Sequence, residues 1–421
     1  MDILVVGGGG REHAIIRTLK KSPRCGRLYC TPGNGGIARD AQCFETPATD
    51  IPGVVALAKR LKVGLVFVAP DDPLVAGMVD ALEAEGIAAF GPRKNAAILE
   101  GSKVFSKHLM KKYGIPTARY EVFDKPEEAL AYIRQENRYP AVVKADGLAL
   151  GKGVILCDDY DAAKEAIHSI MEDRIFGASG SRVVVEEFLT GPEVSVLAFT
   201  DGKTIRPMVS AKDHKRAFDG DMGPNTGGMG TISPNPFYSA ADADWCMEHI
   251  FRPTIEAMNQ EGRPFKGCLF FGLMLTPDGP KVIEYNCRFG DPETQVVLPR
   301  LRTDLVEILE AIREERLASL PIEWEEEACA CVVMASGGYP AAYRKGLEIT
   351  GLDAQGQCAG AEVFHAGTAY RDGRFVTNGG RVLGVTAKGS DVEEALQRAY
   401  AAVETIDFEN AHYRRDIGKT R

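Results

Sequence analysis

The run from Val282 to Glu293, Val-Ile-Glu-Tyr-Asn-Cys-Arg-Phe-Gly-Asp-Pro-Glu, constrains this chain more than any other. Its first half has the composition of a β-strand, whose side chains alternate faces with a period of two. Glu284, Asn286 and Arg288 are therefore expected on one face, and Ile283, Tyr285 and Cys287 on the other. An acid, an amide and a guanidinium in a row are costly to bury without partners. Gly290-Asp291-Pro292 follows at once and forces a tight turn at the same spot. An edge strand with a solvated polar face is the plainer alternative, but the turn favours a site. Two hard oxygen ligands two residues apart suit Mg²⁺, which takes one or two protein groups and completes its shell with phosphate oxygens. An arginine just beyond suits a carboxylate or phosphate, gripped bidentately.

The surrounding chain has 421 residues. That is room for about three domains of ~150 residues each. Residues 1–103 alternate short apolar strands (3–6, 27–30, 64–69, 88–90) with helices (one ending at Lys20, another over 75–85). This pattern indicates a doubly wound parallel sheet, an α/β domain. A helix over 102–113, capped by Ser102, opens residues 104–325. Strands over 141–144, 154–157, 182–188 and 194–200, two pairs of them joined by hairpin-like turns, and a helix over 161–171 suggest a small α+β unit. It spans roughly 118–190 and is inserted in a larger one. Residues 211–236 are glycine-dense and aperiodic; a long loop in a compact domain is usually functional or disordered. A hairpin over 267–285 carries the 282–293 motif. An acidic linker, 321–327, leads into a mixed α+β domain, residues 326–421. That domain has strands near 330–335, 362–366, 375–376 and 381–387, and a last helix over 392–404.

Composition narrows the class. A net charge of −9 without a basic block argues against nucleic acid as the main ligand. The ten cysteines contain no Cys-x-x-Cys, and scattered thiols suit a reducing cytosol. Cys329 and Cys331 share one face of an apolar strand and read as small hydrophobes. A strand begins within two residues of the start, so no signal peptide is expected. No apolar run reaches the length of a membrane span. A cytoplasmic monomer acting on small molecules is the expectation.

Four further motifs carry chemistry. Gly7-Gly8-Gly9-Gly10-Arg11-Glu12-His13 follows a strand and opens a helix, where backbone N–H groups bind anions. Glu12 stands where a dinucleotide fingerprint needs glycine, so this reads as a phosphate site or as a plain turn, not as an NAD site. Gly147-Leu148-Ala149-Leu150-Gly151-Lys152-Gly153 is one residue short for a P-loop and precedes a strand. With Lys144 before it, the loop reads as a lid over nucleotide phosphates. Glu186-Glu187-Phe188-Leu189 ends a strand of valines, and Phe188 offers a wall for a purine; Glu193 follows a turn and suits ribose hydroxyls. Lys212-Asp213-His214-Lys215-Arg216 and Gly223-Pro224-Asn225-Thr226-Gly227-Gly228-Met229-Gly230 mix cations, an acid and exposed backbone, as an anionic-substrate site requires. Ser336-Gly337-Gly338 and Asn378-Gly379-Gly380-Arg381 read as strand-end turns. His108, His168 and His249 lie on helices without partners and suggest no metal.

With these residues in view, the chain resembles the phosphoribosylamine–glycine ligase (glycinamide ribonucleotide synthetase) family of the ATP-grasp superfamily. The resemblance runs nearly end to end. It is carried by Gly9-Gly10-Arg11-Glu12-His13-Ala14, Pro32-Gly33-Asn34, Leu99-Glu100-Gly101-Ser102-Lys103, Lys144 to Ala149, Asp213 to Arg216, Gly223 to Gly230 and Glu284 to Thr294. It implies a central ATP-grasp domain whose small lid subdomain is the 118–190 unit, flanked by an N-terminal substrate domain. The implied reaction joins glycine to 5-phosphoribosylamine through glycyl phosphate, releasing ADP and phosphate in purine biosynthesis. By resemblance Glu284 and Asn286 hold Mg²⁺ or Mn²⁺ on ATP. Lys103, Lys144, Gly151 and Lys152 attend its phosphates, Glu186 and Phe188 frame adenine, and Glu193 takes ribose. Arg288 and Asp213 are implied in catalysis. Gly9, Gly10, Arg11, Asn34, Asp71, Asn225 and Arg288 are implied in substrate binding. Asp71 stands where the family usually has Glu, one methylene longer, and Met222 where a polar residue is common. The strand 270–275 offers no acid, so phosphates and water must complete the metal shell. Two rivals stay open at this point: an ATP-grasp enzyme that carboxylates or formylates a purine intermediate, and a silent ATP-binding module.

Overall fold

The computed structural model describes residues 1–148 and 153–419. Strands β1 (Ile3–Gly7), β2 (Leu28–Pro32), β3 (Gln42–Cys43), β4 (Leu65–Val68) and β5 (Ala89–Phe90) form a parallel sheet in the order β3-β2-β1-β4-β5. Along β1, Ile3 and Val5 enter one hydrophobic core while Leu4 and Val6 enter another on the opposite face. Helices cover both faces: Gly10–Lys20 brings Ile15, Ile16 and Leu19 to the first core, and Ile51–Leu61 brings Val54, Leu57 and Ala58 to the second. A central parallel strand therefore has to be apolar throughout, as β1 is. The strand order reverses beside β1, so its crevice opens at the C-terminal ends of β1 and β4. The helix expected over 75–85 is two helices, Asp71–Ala76 and Met78–Ala84, broken at Gly77 with φ +100°.

Next come β6 (Tyr120–Phe123), β7 (Ala141–Ala145), β8 (Val154–Cys157) and β9 (Val183–Glu187), an antiparallel sheet ordered β6-β9-β7-β8. The helices Pro126–Glu136 and Tyr160–Ile167 pack Ala129, Ile133, Ala163 and Ile167 against its valines. Of the two pairs expected to be joined by hairpin turns, only β7–β8 is one. β9 and β10 (Glu193–Asp201) diverge into different sheets after Gly191-Pro192.

The chain continues through β11 (Ile205–Pro207), β12 (Lys212–Asp213), β13 (Arg216–Phe218), β14 (Met222–Asn225) and β15 (Gly230–Ser233), then the hairpin β16 (Lys266–Thr276) and β17 (Gly279–Asn286). The last part adds β18 (Ala328–Ala335), β19 (Glu362–His365), β20 (Thr368–Arg371), β21 (Arg374–Thr377) and β22 (Arg381–Gly389). The order β11-β10-β16-β17 makes the central sheet. The stretch expected to be a structureless loop, 211–236, is built instead of strands. β13 and β14 pair with each other, and β12 and β15 join β18, β22 and β19 in the order β12-β15-β18-β22-β19. Gly230 pairs with Val332, so the partner that gives this stretch its structure lies a hundred residues away in sequence. Cys329 and Cys331 do share a face of β18 and enter one core. No helix among the described residues is long and apolar enough to cross a membrane.

Candidate active site

β17 carries the polar row to the junction of these sheets, with one departure from simple alternation. Its register with β16 slips between Gly272 and Leu273, opposite Glu284 and Val282, which leaves Ile283 as an additional, bulged residue. The residues facing the core are consequently Val282, Tyr285 and Cys287, not Ile283. Beyond the strand, Phe289 packs its ring 5.9 Å from those of Phe67 and Phe199, and this anchor fixes the turn after Arg288.

The row is partnered by a residue the sequence reading gave no role. Glu100 is buried and accepts from Cys287 N at 2.6 Å and Asn286 Nδ2 at 3.1 Å; Arg288 Nη2 lies 3.4 Å away. Burial raises the Glu100 carboxyl above its ordinary value despite Arg288. Burial works against the Arg288 charge too, yet Glu100 and Asp71 more than offset it and hold the guanidinium above its usual range. Arg288 Nε is buried without a hydrogen-bond partner. With its amide nitrogen committed to Glu100, Asn286 retains Oδ1 as the group available to a hard cation.

Glu284, the other candidate ligand, faces cations. Burial alone would raise its carboxyl, but Lys215, Lys144, Lys103 and Arg288 hold it below the ordinary value. Lys215 Nζ lies 3.6 Å from Glu284 and 3.4 Å from Glu193, tying the two acids together. Among the described residues no group of three or more His, Cys, Asp or Glu side chains is arranged to hold a metal. The Glu284–Asn286 pair fits a divalent ion only where phosphate oxygens and water supply the rest.

The lysines come from two elements. Ser102 caps the helix Lys103–Tyr113 by accepting from Phe105 N, and Lys103 then donates to Gly147 O at 2.9 Å, at the start of the glycine loop. Lys144, on β7, lies 3.0 Å from Glu186 Oε1 and 3.4 Å from Ile283 O on the bulge. Glu186 is buried, and Lys107 holds its second oxygen at 2.9 Å. Its carboxylate is thus committed to two lysines, which leaves backbone groups for any adenine. Phe188, implied as a wall for adenine, is exposed. Gly151 and Lys152 lie outside the described residues.

The glycine turn after β1 is closed on itself. Gly9 N donates to Glu12 Oε2 at 2.6 Å, and Arg11 Nε donates to Glu12 Oε1 at 2.6 Å. The acid that breaks the dinucleotide fingerprint thus occupies an N–H that an anion site would use. Arg11 also donates to Phe289 O, and a Cβ on Gly10 would lie 2.6 Å from Gln295 Nε2. Asn34 uses its whole side chain: Nδ2 donates to Gly8 O and His365 O, and Oδ1 accepts from Gly36 N and Ile37 N. Asn34, implied in substrate binding, thus has every hydrogen-bonding group of its side chain engaged within the fold. Asp71 opens its helix at the C-terminal end of β4, within electrostatic reach of Arg288.

Residues 1–100 match the phosphoribosylglycinamide synthetase N domain, 101–294 its ATP-grasp (A) domain and 329–420 its C domain. The chain belongs to the phosphoribosylglycinamide synthetase family. The phosphoribosylamine–glycine ligase of Caldanaerobacter subterraneus is 48% identical over 99% of both chains. The trifunctional purine biosynthetic protein adenosine-3 of Gallus gallus is 50% identical over 99% of this chain, which covers 42% of that protein. The crystal structure of phosphoribosylamine–glycine ligase from Thermotoga maritima superposes with TM-score 0.87 at 37% identity, covering 99% of this chain and 100% of that one. Biotin carboxylase from Campylobacter jejuni shares the fold at TM-score 0.75 and 15% identity, covering 98% of this chain and 92% of that one.

In this synthetase-family chain the opposite wall comes from β12 and the C-terminal sheet. Burial raises the Asp213 carboxyl well above its ordinary range, and the nearby Glu293 carboxylate adds to the effect. Glu293 is itself raised, by burial first, though Ser195 Oγ donates to it at 3.1 Å. Gly228 admits Asp213 closely: a Cβ there would lie 2.5 Å from Asp213 Oδ1. Asn225 sits on the exposed hairpin strand β14, paired with Arg216. Arg381 is not a mere strand-end turn residue. Its Nη1 donates to Asp291 O at 2.8 Å and to Gly228 O at 3.3 Å, so β22 reaches this candidate site. Glu100 stood inside a quoted motif and could have been noticed there. Lys215, Glu293 and Arg381 also stand inside motifs described above, without a role of their own there, and only Lys107 lies outside every one of them.

Proposed function

We propose that this chain is a phosphoribosylamine–glycine ligase, joining glycine to 5-phosphoribosylamine with ATP and releasing glycinamide ribonucleotide, ADP and phosphate. The observation that carries the reading is Glu284 and Asn286 side by side within a ring of four cations, Lys103, Lys144, Lys215 and Arg288. Phosphoryl transfer needs little beyond positioning and charge neutralisation, and such a ring supplies both. Glu284 and the Asn286 Oδ1 would hold Mg²⁺ or Mn²⁺, which would neutralise charge on the ATP phosphates. Lys103 and Lys144 take phosphate charge from the ATP-grasp side, while Phe188 walls the base and Glu193 meets ribose. Glycine fits as a zwitterion: Arg288 grips its carboxylate, and the mutual repulsion of Asp213 and Glu293 is relieved by its ammonium. The γ-phosphoryl group passes to that carboxylate. The amine nitrogen of phosphoribosylamine then attacks the acyl carbon, and the carbon–oxygen bond to phosphate breaks. Gly9, Gly10, Arg11, Asp71 and Asn225 rim the N-terminal crevice and the adjacent hairpin where the ribose phosphate enters. The enzyme is taken as a cytoplasmic monomer.

The test is coupled ADP detection with phosphoribosylamine made in situ. ADP release is expected only when glycine is present. Release supported by bicarbonate or formate in place of glycine would give the chain to the carboxylating or formylating rival. Arg288→Lys is expected to lower kcat/KM by about a hundredfold or more, because a bidentate grip is lost.

A further inference from the structure

We propose that Lys107 is a positioning residue for the nucleotide phosphates: it neutralises Glu186 from behind the site, so that Lys144 keeps its charge for ATP. This rests on the reading of Lys144 as a phosphate-binding residue.

Lys107, Glu186 and Lys144 are all buried, and they come from three elements: the helix Lys103–Tyr113, β9 and β7. One carboxylate meets two ammonium groups, Lys107 Nζ at 2.9 Å from Oε2 and Lys144 Nζ at 3.0 Å from Oε1. The two contacts differ in kind. Lys107 is fixed by a further bond, donating to Thr117 Oγ1 at 2.7 Å, which itself donates to Val282 O at 2.7 Å. Glu186 Oε1 has no aligned hydrogen-bond donor although Lys144 lies beside it. Lys144 is therefore held to Glu186 by charge more than by geometry, and can turn to a phosphate at the cost of one long hydrogen bond, 3.4 Å to Ile283 O. Its remaining contact is the bulge carbonyl of Ile283, the residue before Glu284.

The charge count follows. A lone Glu186–Lys144 pair would be neutral, and a buried neutral pair attracts no phosphate. With Lys107 included the triad carries one net positive charge, and Lys144, the triad ammonium whose charge acts on Glu284, is the more loosely anchored of the two. The triad also links lid to sheet, since its ends rest on Val282 O and Ile283 O. Removing Lys107 leaves Lys144 as the sole counter-ion of a buried carboxylate, and breaking such a group is expensive.

The experiment is steady-state ADP release by the full chain and the variants Lys107→Met, Glu186→Gln, their double and Lys144→Met. Lys107→Met is expected to raise KM for ATP about tenfold or more, with KM for glycine within about twofold. In the Glu186→Gln background the same substitution is expected to change KM for ATP by less than about twofold, because a residue acting through another loses its effect when that other is gone. A general packing defect would move both substrates' KM values and persist in that background. Should Lys107→Met not fold, the Glu186→Gln pair still decides, since no lone buried carboxylate remains. An unchanged KM for ATP in Lys107→Met, or independent effects in the double variant, overturns the proposal. If Lys144→Met also leaves KM for ATP unchanged, the phosphate-binding reading falls with it.

Discussion

The Asn286 side-chain nitrogen lies 3.1 Å from Glu100 Oε1, which fixes the orientation of the amide and leaves its oxygen for a cation. Glu100 belongs to the helix Lys94–Gly101, the last helix of the N-terminal part, whereas Asn286 ends the central hairpin. One buried carboxylate thus sets the geometry of a candidate metal ligand and of Arg288 together.

Glu100→Ala removes an acceptor from Cys287 N, Asn286 Nδ2 and Arg288 at once. Stability is expected to fall by about 3–5 kcal/mol, the cost of leaving a buried charge unpaired. Urea midpoints would measure it. A loss below about 1 kcal/mol would mean that water takes the place of the carboxylate.

Gly228→Ala tests the wall around Asp213. The residue has φ +121°, where a side chain is strained, and its Cβ would lie 2.5 Å from both Asp213 Oδ1 and Pro292 Cδ. Asp213 must move, and misplacement by an ångström costs about a hundredfold in rate. A variant with wild-type kcat would remove Asp213 from the reaction.

Asn34→Asp separates structure from binding. The substitution replaces a donor to Gly8 O and His365 O by an acceptor, while Gly36 N and Ile37 N keep theirs. The expected result is a stability loss of about 2–3 kcal/mol with two buried carbonyls unpaired. An unchanged melting temperature with a raised KM for the ribosylamine would restore Asn34 to a substrate contact.

Acid sensitivity follows from two buried histidines. Burial lowers His214 to about 4 and His365 to about 3 from an ordinary 6.5. His214 Nε2 accepts from Gly418 N, and His365 Nε2 donates to Gly356 O, so each ring fits as the neutral form. Below pH 6.5 the unfolded chain takes up protons that the folded chain refuses. Their contribution is therefore complete above pH 6.5 and is lost as pH falls toward 4. Each group contributes a slope of about 1.4 kcal/mol per pH unit in that window. Asp213 and Glu293, raised in the fold, act in the opposite sense. The measurement is accordingly a difference. His214→Gln should shrink the stability change between pH 7 and pH 5 by about 2 kcal/mol. An identical pH dependence in the variant would show that folding does not lower the His214 pKa.

The sequence by itself determined what local chemistry can encode. The apolar strands 3–6 and 64–69 and the glycine turn specify a parallel sheet with a crevice. The Ser102 cap marks a helix start, and Glu284 and Asn286 alternate on one strand face as their spacing requires. The tertiary structure alone decided the rest. It bulged Ile283 and returned Val282 to the core, and it made strands of residues 212–213 and 230–233 by pairing β12 with β15 and β15 with β18. It saturated Asn34, and it brought Glu100, Lys107 and Arg381 to the site from far along the chain, where no local pattern records the contacts they make. A strand with a nearby partner leaves a period in the sequence. A contact between residues a hundred or more apart leaves none, because its free energy is gained only when both partners are already in place.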